Sequence, residues 1–377
     1  MAHRAITVTG VETQPASAAL ESAGQFASFR RRLKRWFGRH GRDLPWRRGR
    51  SLYRVWVSEI MLQQTQVATV MPYYRRFLAR FPSLSALASA DESDVLRLWE
   101  GLGYYRRARF LHRAAKLVVA DHGGRIPRTP AELQALPGIG RYTAAAILSF
   151  ALDQRHPILE ANTKRLYSRL LGAPESGKAN HLEPDLWVFA ERLLPRTQIG
   201  AWNDALMDVG SLLCTPQSPD CPNCPLRQWC VGFQQGSPER LGRPAAKPAV
   251  TKVRDIAVLI RRNRSVLMRK RGSDERWAGL WDFVRFTAPE EMTQSDIRAD
   301  DWPSLERKIA SETGVDVMLV ERLPTIRHSV TRYRITLECL MAHAGGGTPQ
   351  HGYRWMTIAR LEQLPLSTTA RKLAQAL

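Results

Sequence analysis

The sequence predicts a chain in two parts, an all-α body followed by a smaller α+β domain. Its 377 residues exceed the roughly 150 of an average domain, which leaves room for two sizeable cores. Residues 26–233 show helical periodicity broken by Pro and Gly, and residues beyond 250 contain alternating, strand-like segments. Residues 236–250 between them are rich in Gly, Pro, Ala and basic residues, as is typical of a linker.

In the helical body, apolar periodicity and turn residues place the elements in order. Pro72 is expected to break the first long segment. The predicted helical segments are Ser51–Arg80, Ser93–Leu98, Arg107–Ala120, Ala131–Leu136, Thr143–Leu152, Leu186–Leu194 and Ala201–Leu213.

The C-terminal part begins with a predicted β-hairpin, since Val253–Ile260 and Ser265–Arg269 flank a short polar turn. Arg332–Met341 alternates like a further strand, and Leu305–Thr313 is predicted to be a helix that ends at Gly314.

Composition restricts the class of protein. Hydrophobic residues make up 44% and charged residues 24%, as in a globular chain. The longest near-continuous apolar run, Ala144–Leu152, is far shorter than the ~18 residues of a membrane span, so no membrane partner is expected. The N-terminus has no apolar signal core, and the five cysteines do not resemble a disulfide framework. A reducing, cytoplasmic location is therefore expected.

The net charge of +21 suits a polyanionic partner. Eleven basic residues lie between Arg30 and Arg54 against one acid, Asp43, and aromatic residues are interleaved with them. Nucleic acid is the indicated partner. A merely solvated basic surface is the alternative.

Four of the five cysteines follow the pattern Cys214-x6-Cys221-x2-Cys224-x5-Cys230. Thiolates so close in sequence can enclose one metal centre, either zinc or an iron–sulfur cluster. One tight pair between two single cysteines differs from the paired knuckles of zinc ribbons, and this loop resembles the [4Fe–4S] loop of the endonuclease III class of DNA glycosylases. Structural zinc and unligated cysteines are the alternatives. Cys339 is expected to be a core residue.

The segment Leu136-Pro137-Gly138-Ile139-Gly140 lies between two predicted helices. Gly138 and Gly140 permit a tight turn, and the N-terminus of the next helix offers free N–H groups to a phosphate. A plain corner between two helices is the alternative. Together with the cysteine loop downstream, the arrangement resembles the helix-hairpin-helix glycosylase superfamily.

Three further motifs resemble the adenine DNA glycosylases of the MutY type: Ser58–Val67 (SEIMLQQTQV), Leu44–Arg47 (LPWR) and Gly101–Tyr105 (GLGYY). The resemblance covers about residues 26–377. Tyr142 stands where the related endonuclease III enzymes have a lysine nucleophile.

The resemblance implies a helix-hairpin-helix glycosylase body with a [4Fe–4S] loop and a C-terminal MutT/Nudix-like domain of α+β class. It implies a monofunctional, monomeric enzyme of base excision repair, of bacterial type and close to the nucleoid. Its substrate would be double-stranded DNA with adenine opposite 8-oxoguanine or guanine. The implied limits are a disordered tail (1–25), a helical glycosylase domain (26–235), a linker (236–250) and a lesion-recognition domain (251–377), with a six-helix part (49–156) and an iron–sulfur part (26–48 and 157–235) inside the glycosylase domain.

Glu59 is the candidate general acid. It lies in an apolar segment, where partial burial would raise its pKa and keep it protonated near neutrality. Cleavage of an N-glycosidic bond needs such a group, because adenine leaves readily only after a ring nitrogen such as N7 is protonated. An exposed helical glutamate is the alternative.

Glu160 stands where the family has an aspartate that stabilises the cationic sugar or forms a transient bond with it. Glutamate carries the same charge as aspartate, but its extra methylene can displace that charge. The rate of the reaction depends strongly on the position of the charge. By the family pattern Asn162 would orient this carboxylate, and Tyr142 would hydrogen-bond near it. A catalytically weak or inactive lesion-binding protein is the main alternative, and a glycosylase/lyase using Lys164 is another.

The family pattern also assigns substrate contacts. Arg47 and Asp204 would help to hold the flipped adenine, and Gln63 and Tyr104 would form the intercalating pair that fills the gap in the duplex.

In the C-terminal domain, Val266–Arg271 and Gly279–Phe283 resemble the start of a MutT/Nudix-like domain. Lys308 and Ser311 occupy positions where a Nudix hydrolase has metal-binding glutamates, which disfavours nucleotide hydrolysis. Thr331 replaces the serine of the family's frequent Phe-Ser-His and keeps a hydroxyl for the 8-oxoguanine.

Overall fold

The computed structural model describes residues 23–173, 179–242, 249–288 and 297–377. These residues form two compact units. The helical unit consists of the described residues of Met1–Leu78 and Ala114–Ala246, and the sheet unit of those of Ala79–Arg113 and Lys247–Leu377. Most of the predicted N-terminal tail lies outside the described residues.

Helices make up the described chain as far as Gln234. Their bounds are α1 Ala23–His40, α2 Leu52–Leu62, α3 Val67–Arg80, α4 Leu84–Ala88, α5 Glu92–Leu98, α6 Arg106–Asp121, α7 Pro130–Ala135, α8 Arg141–Leu152, α9 Ala161–Leu171, α10 Ala179–Leu193, α11 Ile199–Asp208 and α12 Val231–Gln234.

The predicted break at Pro72 is wrong, because Pro72 lies inside α3 and the chain turns at residues 63–66 instead. Gln64 there has a φ of 55°, a left-handed conformation that a helix interior does not contain. The next helix, α4, begins at the capping residue Ser83, whose side chain accepts the N–H of Ala86.

A continuous apolar core holds the helical unit together. It is built from the buried faces of α1, α9, α10 and α11, with Phe29, Leu166, Leu193 and Leu206 each no more than 2% exposed. The residues at either end of the cysteine segment, Cys214 and Cys230, belong to the same core. The cysteine segment is therefore packed into the helical unit.

The sheet unit contains a six-stranded mixed sheet in the order β4-β5-β1-β3-β2-β6. The strands are β1 Thr251–Arg262, β2 Ser265–Lys270, β3 Trp281–Thr287, β4 Val315–Val330, β5 Tyr333–Gly347 and β6 Tyr353–Thr357. The helices α13 Trp302–Thr313 and α14 Thr368–Leu373 contribute to two separate cores.

Strand alternation explains the two cores of the sheet unit. Successive β1 side chains point to opposite faces, so Val258 packs with Leu305 of α13, and Leu259 packs in the core that contains Leu373 of α14. The hairpin of β1 and β2 and the end of α13 at Gly314, with a φ of 72°, agree with the sequence predictions.

Strand β4 was not anticipated from the sequence. Its side chains are mostly exposed, and register shifts interrupt its pairing with β5, so the apolar alternation of an ordinary strand is missing. β5 pairs in parallel with β1 and continues to Gly347.

Part of the predicted linker is packed. Pro238 and Leu241 are buried, and a Cβ atom on Gly242 would lie 3.0 Å from the backbone of Arg165. Residues 243–248 lie outside the described residues. Among the described helices, none is long and apolar enough to cross a membrane.

Candidate active site

Glu59 lies on the buried face of α2 and is 4% exposed. The hydroxyl of Tyr142, at the start of α8, donates a hydrogen bond of 2.8 Å to Glu59 Oε2. Burial raises the pKa of Glu59 to about 7; the Tyr142 bond and Arg50 oppose that rise, and the negative charges of Asp204 and Glu160 add to it. A carboxyl group in this environment is poised to donate a proton near neutral pH.

Glu160 is the N-cap of α9. Its Oε1 accepts the N–H of Thr163 at 2.9 Å, and its Oε2 accepts both the backbone N–H (2.9 Å) and the side-chain amide (3.1 Å) of Asn162. Burial raises the pKa of Glu160, and these bonds oppose the rise. The longer side chain folds back onto the helix terminus, where the positive end of the helix stabilises a carboxylate.

Arg165 connects the Glu160 cap to the cysteine segment. Its guanidinium donates to Asn162 Oδ1 (2.9 Å), to the carbonyl of Gly210 (2.6 Å) and to the carbonyl of Cys214 (2.7 Å). Gly210 lies in a short π-helix, Val209–Leu213, that continues α11. A Cβ atom on Gly210 would come within 2.9 Å of Asn162 Cβ, so glycine is needed for this approach.

Arg47 lies between two buried acids of α11. Its Nε donates to Asp204 Oδ1, and its two terminal nitrogens donate to Asp208, all at 2.9 Å. Arg42 binds Asp208 as well, through its backbone N–H at 2.9 Å and its guanidinium at 2.6 and 2.8 Å. Although burial acts to raise it, these bonds hold the pKa of Asp208 below its usual range. Asp208 is therefore an anion in the resting chain.

Arg50 is a second cation beside Asp204. It forms an ion pair with Asp204 Oδ2, and its guanidinium lies 5.3 Å from the ring centroid of Phe150. Burial raises the pKa of Asp204 even though Arg47 and Arg50 oppose the rise. Arg50 Nε is buried and has no hydrogen-bond partner within the described chain.

The helix-hairpin-helix turn joins α7 to α8. Gly138 has a φ of 81°, which requires glycine, and Gly140 is the N-cap of α8 with open space beside its Cα. Leu136 and Ile139 are buried beneath the turn. The backbone at the α8 terminus is thus accessible to an anion. Gln63, at the end of α2, donates to Thr143 Oγ1 of α8 at 3.4 Å.

Tyr104 and Thr331 belong to the sheet unit. Tyr104 follows two glycines with positive φ, has a φ of 49° itself, and is 45% exposed. Thr331 forms the exposed turn between β4 and β5 with a φ of 51°. Both side chains project from strained turns, a conformation typical of functional sites. Lys164, in the helical unit, pairs with Glu183 at 2.7 Å.

The four clustered cysteines line one small cavity with Arg169, Leu166 and Leu170, among others. None of the four forms a disulfide. Arg169 is 1% exposed and donates to Cys214 Sγ (3.2 Å) and to the carbonyls of Thr215 and Pro216. Burial raises the pKa of Cys224 to about 12 and that of Cys230 to about 11, and the neighbouring thiol sulfurs add to the rise. Four convergent sulfurs beside a buried cation fit an anionic iron–thiolate cluster.

The helical unit brings together Glu59, Tyr142, Glu160 and Asp204 from four different segments. Sequence reasoning missed Asp208, Arg42, Arg50, Arg165 and Arg169. Asp208 could have been found, since it lies one helical turn after Asp204 on the same face. Arg42 and Arg50 could not, because nothing in the basic run distinguishes an internal arginine from a solvated one. Arg165 and Arg169 lie outside that run, and no sequence signal marks them as internal.

The close contact at Gly210 leads to a stability prediction. Gly210→Ala should lower the free energy of unfolding by about 1–3 kcal/mol, because the methyl group would be forced against Asn162. Gly38→Ala in α1 is the matched control; it has nothing within 4 Å and should gain up to about 1 kcal/mol. Urea unfolding followed by tryptophan fluorescence measures both. Equal midpoints for the two variants would contradict the prediction.

Comparison with known proteins assigns the chain to a family. The model of the HhH-GPD superfamily of base excision DNA repair proteins matches residues 57–192, and that of the NUDIX domain matches residues 256–376. A solved thermostable thymine-DNA glycosylase is 28% identical, with a TM-score of 0.51, over 56% of this chain and 97% of that one.

Curated relatives narrow the assignment. The adenine DNA glycosylase of Buchnera aphidicola subsp. Schizaphis graminum is 36% identical over 259 residues, which are 68% of this chain and 75% of that protein. The human adenine DNA glycosylase is 42% identical over 226 residues, 58% of this chain and 41% of that protein. The chain belongs to the adenine DNA glycosylase family, within the HhH-GPD superfamily of base excision DNA repair proteins.

Proposed function

We propose that the protein is a monofunctional DNA glycosylase that excises adenine mispaired with 8-oxoguanine or guanine. The observation that carries this proposal is the buried carboxyl of Glu59, which is bonded to Tyr142 and has its pKa raised by burial to about 7. A buried acid that is half protonated at neutral pH suits the release of a poor leaving group.

In the proposed reaction, the adenine leaves the stack and is placed beside Glu59. The protonated carboxyl gives its proton to N7 of the base. The bond between C1′ and N9 then breaks, and its electron pair departs with the neutral adenine. Tyr142 holds the Glu59 carboxyl in place, because its hydroxyl donates to Oε2 and leaves Oε1 to face the base.

The sugar left behind has oxocarbenium character, and Glu160 supplies the opposing charge. Its two oxygens already accept three N–H bonds, so the carboxylate is fixed before the reaction and need not reorganise. Water then attacks C1′ and gives a proton to the Glu59 carboxylate, which restores the acid and leaves an abasic site. Lys164 does not serve as a nucleophile in this scheme, because its ammonium is paired with Glu183.

For substrate binding, we propose that Arg47 and Asp204 line the adenine pocket together with Asp208, since all three lie in one buried network. Gly138 and Gly140 present backbone N–H groups to a phosphate. Gln63 and Tyr104 fill the space left in the duplex. Thr331 reads the 8-oxoguanine with its hydroxyl.

We propose [4Fe–4S] as the resident cofactor, held by Cys214, Cys221, Cys224 and Cys230. The cluster, when bound, would fix the fold of the loop around it. Arg169, buried against Cys214 Sγ, would balance part of the thiolate charge.

We further propose that the protein acts as a monomer on double-stranded DNA at the nucleoid of a bacterial cytoplasm. The proposed domain limits are residues 26–235 for the glycosylase domain, with the linker at 236–250 and the lesion-recognition domain at 251–377.

One assay separates this proposal from its alternatives. The protein is incubated with duplexes that carry adenine opposite 8-oxoguanine, opposite guanine or opposite thymine, and the products are resolved with and without alkali. Strand cleavage that needs alkali supports the proposal, and cleavage without alkali indicates a lyase. Tight binding with no base loss indicates an inactive lesion-binding protein. A parallel incubation with free nucleoside triphosphates tests the remaining alternative, since release of nucleoside monophosphates would indicate a Nudix hydrolase.

Glu59→Gln should abolish adenine release and leave duplex binding intact, because the amide preserves shape but supplies no proton. In the wild type, release should fall about tenfold per pH unit above pH 7, since the raised pKa means that Glu59 loses its proton there. Single-turnover release across pH 5–9 measures both effects. A wild-type rate that rises from pH 7 to 9 would rule out Glu59 as the acid.

Glu160→Gln should lower the rate of adenine release by two to three decades, about 3–4 kcal/mol of lost charge stabilisation. Glu160→Asp is the matched variant and should remain active, since aspartate can accept the same N–H bonds at the start of α9. Binding is measured separately from chemistry. If Glu160→Gln matches the wild type, Glu160 is not the second catalytic carboxylate.

Purified protein should be brown, with about four iron atoms per chain and broad visible absorption. Replacing Cys221 with Ser should lower the iron content. Replacing Cys339 with Ser is the control and should not, because Cys339 is buried in the sheet unit. Colourless protein with one zinc ion per chain would contradict the prediction.

A further inference from the structure

Within the sheet unit, an ion pair joins the last helix of the chain to the turn that presents Tyr104. Nε of Arg371, in α14, donates to Glu100 Oε1 at 2.8 Å, and Nη2 donates to Glu100 Oε2 at 2.9 Å. The backbone N–H of Leu366 also donates to Glu100 Oε2, at 3.4 Å. The side chains are 31% and 17% exposed, so water screens this bidentate pair only in part.

Arg371 is itself held rigidly. Its remaining donors bind the carbonyls of Leu361 (2.7 Å) and Leu364 (2.9 Å). The preceding segment is an extension of the sheet, since Leu366 bridges to Trp281 of β3 and Trp281 N–H donates to the carbonyl of Pro365 at 2.9 Å. Glu100 is therefore attached to the sheet through two neighbouring contacts.

On the other side of Glu100, the chain enters the turn directly. Gly101 and Gly103 have φ values of 90° and 77°, and the Gly101 N–H donates to Tyr105 Oη at 3.1 Å. The Gly103 carbonyl accepts from Trp99 Nε1 (3.1 Å) and Arg107 Nη2 (3.2 Å). This turn fixes the direction of Tyr104, whose own φ is positive. A displacement of Glu100 would be transmitted to Tyr104 over only four residues.

We infer that Arg371 is a positioning residue for Tyr104. Through Glu100 it holds the turn at residues 101–105, called the wedge turn because it presents Tyr104, against the sheet that carries Thr331. The inference rests on the proposed function, in which Tyr104 enters the duplex. The wedge and the lesion-reading turn then belong to one body. Contact of Thr331 with the 8-oxoguanine would set where Tyr104 enters, without a separate ordering step.

The test uses Glu100→Gln, which removes the charge but leaves the bonds of Arg371 to Leu361 and Leu364. Arg371→Lys is the second variant, keeping the charge without the bidentate geometry. Arg360→Gln is the matched control, as an exposed arginine of the same C-terminal segment. Each full-length protein is assayed with two duplexes. One carries adenine opposite 8-oxoguanine, and the other carries adenine opposite tetrahydrofuran, an abasic-site analogue that has no base. A 2-aminopurine next to the lesion reports unstacking.

We expect Glu100→Gln to slow adenine release from the 8-oxoguanine duplex on the order of tenfold and to reduce the 2-aminopurine signal. On the tetrahydrofuran duplex, which has no opposing base for Tyr104 to displace, Glu100→Gln should lower the rate less than about twofold.

Equal losses on the two duplexes would indicate general structural damage and overturn the inference. The inference would also be overturned if Glu100→Gln gave the same rates and 2-aminopurine signals as Arg360→Gln on both duplexes. A wild type that releases no adenine at all would instead contradict the proposed function; in that case a 2-aminopurine signal unchanged by Glu100→Gln overturns the positioning role separately.

Discussion

Desolvation of the Glu59 carboxyl is the constraint on which the rest of the site depends. A carboxylate taken out of water costs several kcal/mol unless it is paired. The groups that act on Glu59 are the phenol of Tyr142, the two acids Asp204 and Glu160, and Arg50, whose effect is the smallest of these. The group responds by holding its proton to about neutral pH. Any change that admits water or a further cation to this position would lower the pKa of Glu59 and weaken the proposed acid.

The other acids of the same site have different partners. Asp208 receives bonds from two arginines and has its pKa lowered, whereas Glu160 relies on helix N–H groups and Asp204 on Arg47 and Arg50. Of these four carboxyl groups, Glu59 has its pKa raised to about 7, Asp208 has its pKa lowered, and burial raises the pKa of Glu160 and Asp204 against the bonds that each accepts. The proposed reaction needs a proton donor and an anion at one pH, and different partners are what can separate the two roles.

The fold class, most of the longer helices and the main hairpin could be predicted from apolar periodicity and turn residues. The helices α1, α4 and α9 were not among the predicted segments. Motif positions identified Glu59, Tyr142 and Asn162, which do lie close to one another or to Glu160. Strand β4 could not be predicted, because an exposed edge strand carries no alternation. Nor could Arg42, Arg47 and Arg50 be recognised as internal cations, since a run of arginines suggests a solvated DNA-binding face.

Several arginines of the basic segment, residues 30–54, bind groups inside the protein. Arg30 donates to the carbonyls of Leu193 and Leu194 at the end of α10, and Arg42 and Arg47 are committed to Asp208. The positive charge of residues 30–54 is therefore divided between internal support and surface. Arg31 and Arg35 stay exposed, so among the arginines of this segment they are available to a phosphate partner.

Arg165 and Arg169 extend this use of arginine to the cysteine segment. Neither forms an ion pair with a carboxylate within the described residues, and both donate mainly to backbone carbonyls. Arg165 also donates to Asn162, and Arg169 also donates to Cys214 Sγ. A carbonyl holds a guanidinium only where the backbone is fixed, so the orientation of Asn162 depends on the path of the chain near Cys214. The Asn162 amide, which binds the Glu160 carboxylate, is therefore supported through Arg165 by the carbonyls of Gly210 and Cys214, at the start of the loop that carries the thiols.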